Sequence, residues 1–339
     1  MANSVFIQHS TLCKRISARL QQAGLSVERA DIEASIMVEA DLLGVPSHGV
    51  RMLPNLLAAI NDGRLSVTPS EKVIKSFGAI SVLDFDNGPG RYSAITAMNR
   101  AVEQSKEFGV GVCLAKNTSH WGRGHAYACR AAQQGCIGIC TTNAIPSMAA
   151  WGATQRIIGN NPLAIGIPNI ISEHPIVLDM AMSQAAVGKV ATMLREGTVL
   201  NEPLGYDLQG NSSTDAQDIL AGAVWPMGLH KGEGLALMME MLTATLAGSA
   251  FSFQLLNKDN SGVDPYASKI FIALNVSEFV ALEHFYQHTA DLFTHLKNST
   301  PNFKYPSERG WQAKQENLLK GIPLHEEIID QLKAVNVTF

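Results

Sequence analysis

The chain is poor in charge of either sign. Only 17% of its 339 residues are charged, the net charge is −4, and no long basic run occurs. Without a cationic stripe, nucleic acid and other anionic polymers are not expected partners. The opening residues Met1-Ala2-Asn3-Ser4-Val5-Phe6-Ile7-Gln8-His9 lack a basic start followed by a long apolar run, so neither export nor a membrane span is expected. Cysteine is scarce as well: five residues, an odd number, mostly in apolar surroundings, read as free thiols in a reducing cytoplasm. Cys136 and Cys140 are spaced too widely for a CxxC pair, and a strand would place both on one buried face. No HExxH or CxxC points to a metal, no GxSxG elbow to a serine hydrolase, and no GxGxxG after a strand to a Rossmann dinucleotide site.

What is present is enough apolar residue, 46%, to bury a sizeable core in two lobes. Helical periodicity runs from Ser10 to Ala23, with Leu12, Ile16 and Leu20 on one face. A second helix, capped by Ser26, carries Ile32, Ile36 and Leu43. The pattern changes near Glu71 to a hairpin about Gly78. A helix from about Ser93 to Phe108 follows, then strands over residues 109–115, 137–143, 163–167, 176–178 and 270–274, the last read as the final strand. Residues 151–162 read as an extended loop and 202–217 as a polar excursion. Residues 277–297, 307–319 and 323–335 read as helices, and 298–305 as a linker.

Four polar stretches lie where such elements meet. Ser47-His48-Gly49 follows the second helix; its histidine can exchange a proton near neutral pH, its glycine allows a tight bend, and Arg51 could hold an anion. A turn histidine can equally be a solvated residue. Ser119-His120-Trp121-Gly122-Arg123-Gly124 sits between a strand and a helix, where ligands commonly bind. Asp179 ends the buried run Ile176-Val177-Leu178, as a helix cap or as a functional carboxylate. His230-Lys231-Gly232-Glu233-Gly234 opens an apolar helix and reads as an anion site of free N–H groups plus a lysine, or as a glycine-softened core helix; the methionines further along it read as core.

These stretches, with Gly159-Asn160-Asn161-Pro162 and Leu178-Asp179-Met180-Ala181, occur in the order and spacing of a known family. The chain resembles the malate/L-lactate dehydrogenase-like nicotinamide oxidoreductases, which lack a Rossmann fold, and looks most like the 2,3-diketo-L-gulonate reductase branch. The resemblance covers nearly the whole chain. It implies an α/β, non-Rossmann fold whose central sheet is largely antiparallel or mixed, with a helical lobe from both chain ends: residues 1–70 completed by 277–339, around an α/β lobe of 71–276. It also implies a homodimer with active sites near the interface.

By the same resemblance His48 is the proton donor, Ser47 lies beside it, and Asp179 is close enough to orient the imidazole. Ser47, His120 and Thr142 are expected to meet the substrate, as is Arg51, which lies one position before the family's arginine. Ile176, Val177, Leu178, Asp179, Met180 and Ala181, the pair His230 and Lys231, and Ser307, Glu308 and Arg309 match positions that contact the dinucleotide. Two departures stand out. Most relatives carry an arginine where this chain has Met52, and Ser307 replaces a glycine-led turn. Glu308 would repel a 2′-phosphate, favouring NAD(H) over NADP(H). The expected reaction is reduction of a 2-oxo acid to the 2-hydroxy acid. Alternatives are a malate, lactate or ureidoglycolate dehydrogenase or cyclic imino acid reductase of the same family, and, in another class, a nucleotide-binding protein without redox activity.

Overall fold

The computed structural model describes residues 4–169, 174–256, 263–300 and 302–339. Met1–Asn3, in the opening segment, and Pro301, in the expected linker, lie outside the described residues. At the centre is a seven-stranded sheet in the order Lys72–Phe77, Ile80–Gly88, Val110–Thr118, Ala267–Asn275, Cys136–Thr142, Leu163–Ile167, Ile176–Met180. Only the contact between Ile80–Gly88 and Val110–Thr118 is parallel; the rest are antiparallel. The sheet is therefore mixed and largely antiparallel, as expected, and not doubly wound. Helix Gly90–Phe108 lays Ala94, Ala97, Met98 and Ala101 on the sheet, a spacing that keeps one narrow face buried. Cys136 and Cys140 are both buried on that side, and all five cysteines are free thiols.

A second sheet of five short strands is ordered Ser212–Ser213, Gly205–Tyr206, Ala223–Val224, Pro146–Ala149, Arg156–Gly159. The extended loop expected over 151–162 thus contains a strand, as does the polar excursion. Four residues with two adjacent apolar ones show no period of their own, and the partner that makes Arg156–Gly159 a strand is a neighbouring hairpin arm. The chain ends meet: Ser4–Ile7 pairs antiparallel with Ile322–His325. Helices His9–Gln22, Val27–Leu42 and Leu53–Asn61 share one core with Ile322 and Leu332. The helix expected from Pro323 begins only at Glu326, and 270–274 is not the last strand. Ile322 and Leu324 are buried while Pro323 and His325 are exposed, a period of two that marks a strand.

Helix His230–Glu240 continues through a π-helical turn, Met241–Thr245. Its inner side is polar where it matters. The buried Glu240 carboxylate accepts from Asn161 Nδ2 (2.8 Å), Asn143 Nδ2 (3.4 Å) and Ser252 N (2.6 Å), and Asn161 also donates to Ala236 O at 2.9 Å. The Gly159–Pro162 stretch therefore fastens this helix to the sheet. The outer side corrects the expectation of core methionines: Met239 is buried, but Met238 and Met241 are about half exposed, beside exposed Leu235, Leu242 and Leu246. A helix apolar on both sides leaves one of them for something other than its own core.

A buried ion pair joins the N-terminal helices to the sheet. Glu33, fully buried on helix Val27–Leu42, accepts from the Arg91 and Tyr92 amides at 2.8 and 3.0 Å and pairs with Arg91 Nη1 at 3.0 Å. A carboxylate at a helix start satisfies free N–H groups and the positive end of the dipole. Glu33→Ala leaves Arg91 charged and unpaired in the core and should lower stability by about 3–5 kcal/mol. The check is a urea titration, in which the midpoint should fall at constant slope.

Candidate active site

The His48 turn hangs on Asp41, near the end of helix Val27–Leu42. The Asp41 carboxylate is buried and accepts from Val50 N at 2.7 Å; burial pushes its pKa up to about 7, against the opposing pull of that bond and of Arg51. A Cβ on Gly49 would lie 2.0 Å from Asp41 Oδ1. Gly49 has φ −86°, outside the left-handed region, so the glycine serves close approach to the carboxylate and not the tight bend expected of it. Two short 3₁₀ turns, Pro46–His48 and Val50–Met52, follow from this anchorage. Ser47 Oγ holds His48 Nδ1 at 2.9 Å, leaving Nε2 for proton exchange.

The facing loop leaves the end of strand Val110–Thr118. Trp121 is driven into the core against Tyr127 and Phe271, and Tyr127 OH donates to the Trp121 carbonyl. With Trp121 so anchored, His120 stacks on His48 with ring centroids 6.0 Å apart. His120 Nδ1 accepts from Gly122 N at 3.1 Å, which assigns the proton of the neutral ring to Nε2. Burial, then the charges of Arg91, His48 and Lys269, hold the His120 pKa well below its ordinary value.

Ser47, His48, His120 and Thr142 line a cavity of about 760 Å³ together with Asp179, Met180, Ala181 and Arg309. Arg51, Ile176, Val177, Leu178, His230, Lys231, Ser307 and Glu308 do not line it. Thr142 turns its hydroxyl to the carbonyls of Asn143 and Ser268, 2.9 and 3.2 Å away. Asp179 departs from expectation: its carboxylate pairs with Arg123 Nε at 3.2 Å and accepts from His125 N at 3.2 Å, rather than bonding the His48 ring. The nearby guanidinium and a free amide, both unseen in a linear reading, claim it first. Met52 lies under Arg91, whose Nη2 reaches its sulfur at 3.5 Å. An arginine at 52 would bring two guanidinium groups together.

Sequence reasoning passed over several groups here. Lys269 is fully buried at the cavity, donating to Thr118 Oγ1 and to Ser119 O (2.9 Å), and burial pulls its pKa down to about 7. A lone lysine ahead of the apolar run Ile270–Leu274 was the available signal. Helix Val187–Arg195 brings Gly188 against Ser47, where a Cβ would lie 3.0 Å from Ser47 Cβ; nothing local marked that contact. The result is a cationic site. Burial first, then Arg123, Arg91 and Arg51, lower the His48 pKa to about 4. A site whose histidines face several guanidinium groups suits an anion.

The positions expected to meet a dinucleotide gather around the end of strand Ile176–Met180. Met227 N donates to Met182 O at 2.8 Å, which brings in the start of helix His230–Glu240 with His230 and Lys231 exposed. Ser307 Oγ donates to Val177 O at 2.6 Å, which brings in helix Glu308–Lys320. Ser307 adopts φ +71°, the left-handed conformation that favours glycine, consistent with the glycine-led turn it replaces. Glu308 turns its carboxylate to the Tyr305 amide at 3.2 Å. Ile176 and Val177 are core residues, so only their backbone can meet a ligand. Basic residues at a helix start, Arg309 in the cavity wall and the buried, unpartnered Ser183 hydroxyl suit a phosphate-bearing group.

Comparison with known proteins identifies the family. The family model for malate/L-lactate dehydrogenase matches residues 7–333, and the chain belongs to that family. It is 30% identical to a malate dehydrogenase of Pyrococcus horikoshii, over 98% of this chain and 95% of the relative. The solved structure of malate dehydrogenase from that organism superposes with a TM-score of 0.89 at 29% identity, covering 100% of this chain and 97% of the other. A 2,3-diketo-L-gulonate reductase of Klebsiella pneumoniae is 31% identical over 97% and 99% of the two chains. The structure of delta1-piperideine-2-carboxylate reductase from Pseudomonas syringae superposes with a TM-score of 0.90 at 26% identity, covering 98% and 99%. The protein is thus a nicotinamide-dependent dehydrogenase of this family.

The Asp41 anchor can be tested by Gly49→Ala, whose methyl group has no room beside the carboxylate. Displacing the turn should lower turnover by about 100-fold and stability by about 1–3 kcal/mol, read from steady-state rates and a denaturant melt of the same preparation.

Proposed function

We propose that the protein interconverts a 2-oxo acid of the 2,3-diketo-L-gulonate kind and its 2-hydroxy acid, with His48 exchanging the proton on the substrate oxygen. The observation that carries this reading is the stacked His48–His120 pair, 6.0 Å apart, inside a cavity walled by cations. A bound nicotinamide supplies or accepts the hydride. The chain's own residues do the rest. In the oxidation direction His48, its pKa held at about 4, stands unprotonated at neutral pH and takes the hydroxyl proton, while Ser47 fixes the ring through Nδ1. His120, donating through Nε2, stabilises the developing charge on the same oxygen. In the reduction direction an arriving carboxylate offsets the surrounding cations and lets His48 carry the proton it must give.

NAD(H) is the favoured cofactor, supported by the acidic Glu308 at the start of helix Glu308–Lys320. Ile176–Ala181, His230, Lys231, Ser307 and Arg309 would hold it, with Lys231 on a phosphate. A homodimer is supported by the exposed apolar side of helix His230–Glu240 and its continuation, carrying Leu235, Met238, Leu242 and Leu246. A cytoplasmic setting fits the free thiols. No helix among the described residues is long and apolar enough to cross a membrane. The deciding experiment is a fluorescence titration with NADH and NADPH followed by a panel of 2-oxo acids and cyclic imino acids. Oxidation of NADH by an open-chain 2-oxo acid supports this reading; turnover of cyclic imino acids alone moves the protein to that neighbouring activity, and binding without turnover to the nucleotide-binding alternative.

His48→Ala should reduce turnover by about 100-fold or more while leaving NADH affinity in place. The sign of the pH dependence follows from the lowered pKa. Because kcat/KM reports the free enzyme, oxidation should hold its rate down to about pH 5 and fall only below that, as His48 gains a proton; reduction should decline as pH rises. An oxidation limb centred near the ordinary histidine value, with chemistry rate-limiting, would contradict this electrostatic reading.

Lys231→Ala should weaken NADH binding about tenfold with little change in the chemical step, since one exposed charge at a helix start is lost. Added salt should reproduce part of the loss. Normal NADH affinity with failed turnover would instead place Lys231 with the substrate.

A further inference from the structure

We infer that Arg123 is the residue that grips the substrate's carboxylate, positioned for it by Asp179; this rests on the 2-oxo acid reading above. Four cations surround the two histidines, and three are accounted for. Arg91 is spent on Glu33, with its Nη2 against the Met52 sulfur. Lys269 is buried, its ammonium donating to Thr118 and Ser119. Arg51 is half-buried and does not line the cavity.

Arg123 differs from all three. Like Lys269 it lines the cavity with His48 and His120, but its guanidinium is fixed at one corner only, where Nε meets Asp179 Oδ2 at 3.2 Å. Nη1 is buried with no hydrogen-bond partner, and no side chain or carbonyl among the described residues takes Nη2. A guanidinium anchored through Nε and bare at its two terminal nitrogens presents a preset fork, the geometry that matches a carboxylate bidentately. Leaving a buried guanidinium N–H unpaired is costly in a folded protein, so a ligand oxygen is the natural occupant. Its charge is also the foremost of those acting on His48, which puts the fork close to the group that handles the substrate oxygen. In a 2-oxo acid the carboxylate is one bond from the carbonyl, so the anion grip and the proton donor must be near neighbours. The loop explains how the residue reaches the site: the core-anchored Trp121 and the tight packing of Gly124, where a Cβ would lie 2.7 Å from Ala164 Cβ, bracket it on both sides.

Asp179 is then a positioning residue. It aims the arginine and balances part of its charge, and it leaves the imidazole to Ser47.

The test uses the full-length protein with NADH and oxamate, an unreactive mimic of a 2-oxo acid, whose binding is followed by calorimetry at saturating NADH. Arg123→Gln should raise the oxamate dissociation constant, and KM for a reduced 2-oxo acid, roughly ten- to hundred-fold, with NADH affinity changed by less than about threefold. Arg123→Lys, which keeps the charge and loses the fork, should fall between, and it serves if the glutamine variant folds poorly. Removing the charge should also move the acid limb of oxidation kcat/KM to higher pH, which a purely structural arginine would not do. Weaker NADH binding with unchanged oxamate binding would overturn the inference and give Arg123 to the cofactor. A loss of oxamate binding in Arg51→Gln but not in Arg123→Gln would overturn it in favour of Arg51. If the parent protein neither bound oxamate nor reduced any 2-oxo acid, the functional reading itself would fall and the carboxylate grip with it.

Discussion

Glu33 and Arg91 form the contact on which the site depends. One carboxylate, with no exposure to solvent, satisfies two amides at the start of helix Gly90–Phe108 and pairs with the guanidinium that lies under the His120 loop and Met52. Desolvating such a pair is expensive, and it is favourable only because every oxygen is used. The geometric consequence is larger than the energetic one. Helix Val27–Leu42, which carries Glu33, also carries Asp41 and through it the His48 turn. Helix Gly90–Phe108 starts directly against the Ser119 and His120 carbonyls, where even a Cβ on Gly90 would collide at 2.1 and 2.4 Å. The pair therefore sets the distance between the two histidines.

Around that frame the protein has gathered positive charge about the two histidines. Arg51, Arg91 and Arg123 bear on His48, and Arg91 and Lys269 on His120, while Glu33 pairs with Arg91, Asp179 with Arg123, and Asp264 acts on Lys269. Burial first, and then these charges, lower the pKa of both imidazoles. An anionic ligand changes that balance, so binding and proton affinity are coupled. The departure at position 52 fits the same electrostatics. With Arg91 already buried there, a methionine sulfur is a tolerable neighbour and a further cation is not.

Much of this was legible along the chain because it rests on local periodicity and on motifs. The helices of the N-terminal region, the Gly78 hairpin and the strands that follow were read from apolar spacing, and the mixed sheet from the resemblance those motifs carried. His48, His120, Thr142 and Asp179 were picked out and do share one cavity. What failed depended on partners distant in sequence. The Ser4–Ile7 strand exists only because Ile322–His325 lies alongside it. Met238 and Met241 have the composition of core residues, yet the helix already fills its buried side with Ala236, Met239 and Ala244.

The sequence by itself determined which chemistry-bearing groups exist and in what order: a proton-exchanging histidine between a serine and a glycine, a second histidine after a strand, a carboxylate at a strand end, and a lysine at a helix start. Apolar periodicity also determined most helices and strands, since that signal needs only neighbours within a turn or a pleat. Tertiary structure alone decided whom each group meets. It gave Asp179 to Arg123 rather than to His48, put the Asp41 carboxylate where the Gly49 side chain would be, and sank Lys269 beside the active site. Those outcomes turn on distances across the fold of a few ångströms, and Coulomb and desolvation energies depend on such distances and on burial, neither of which is written in the order of residues.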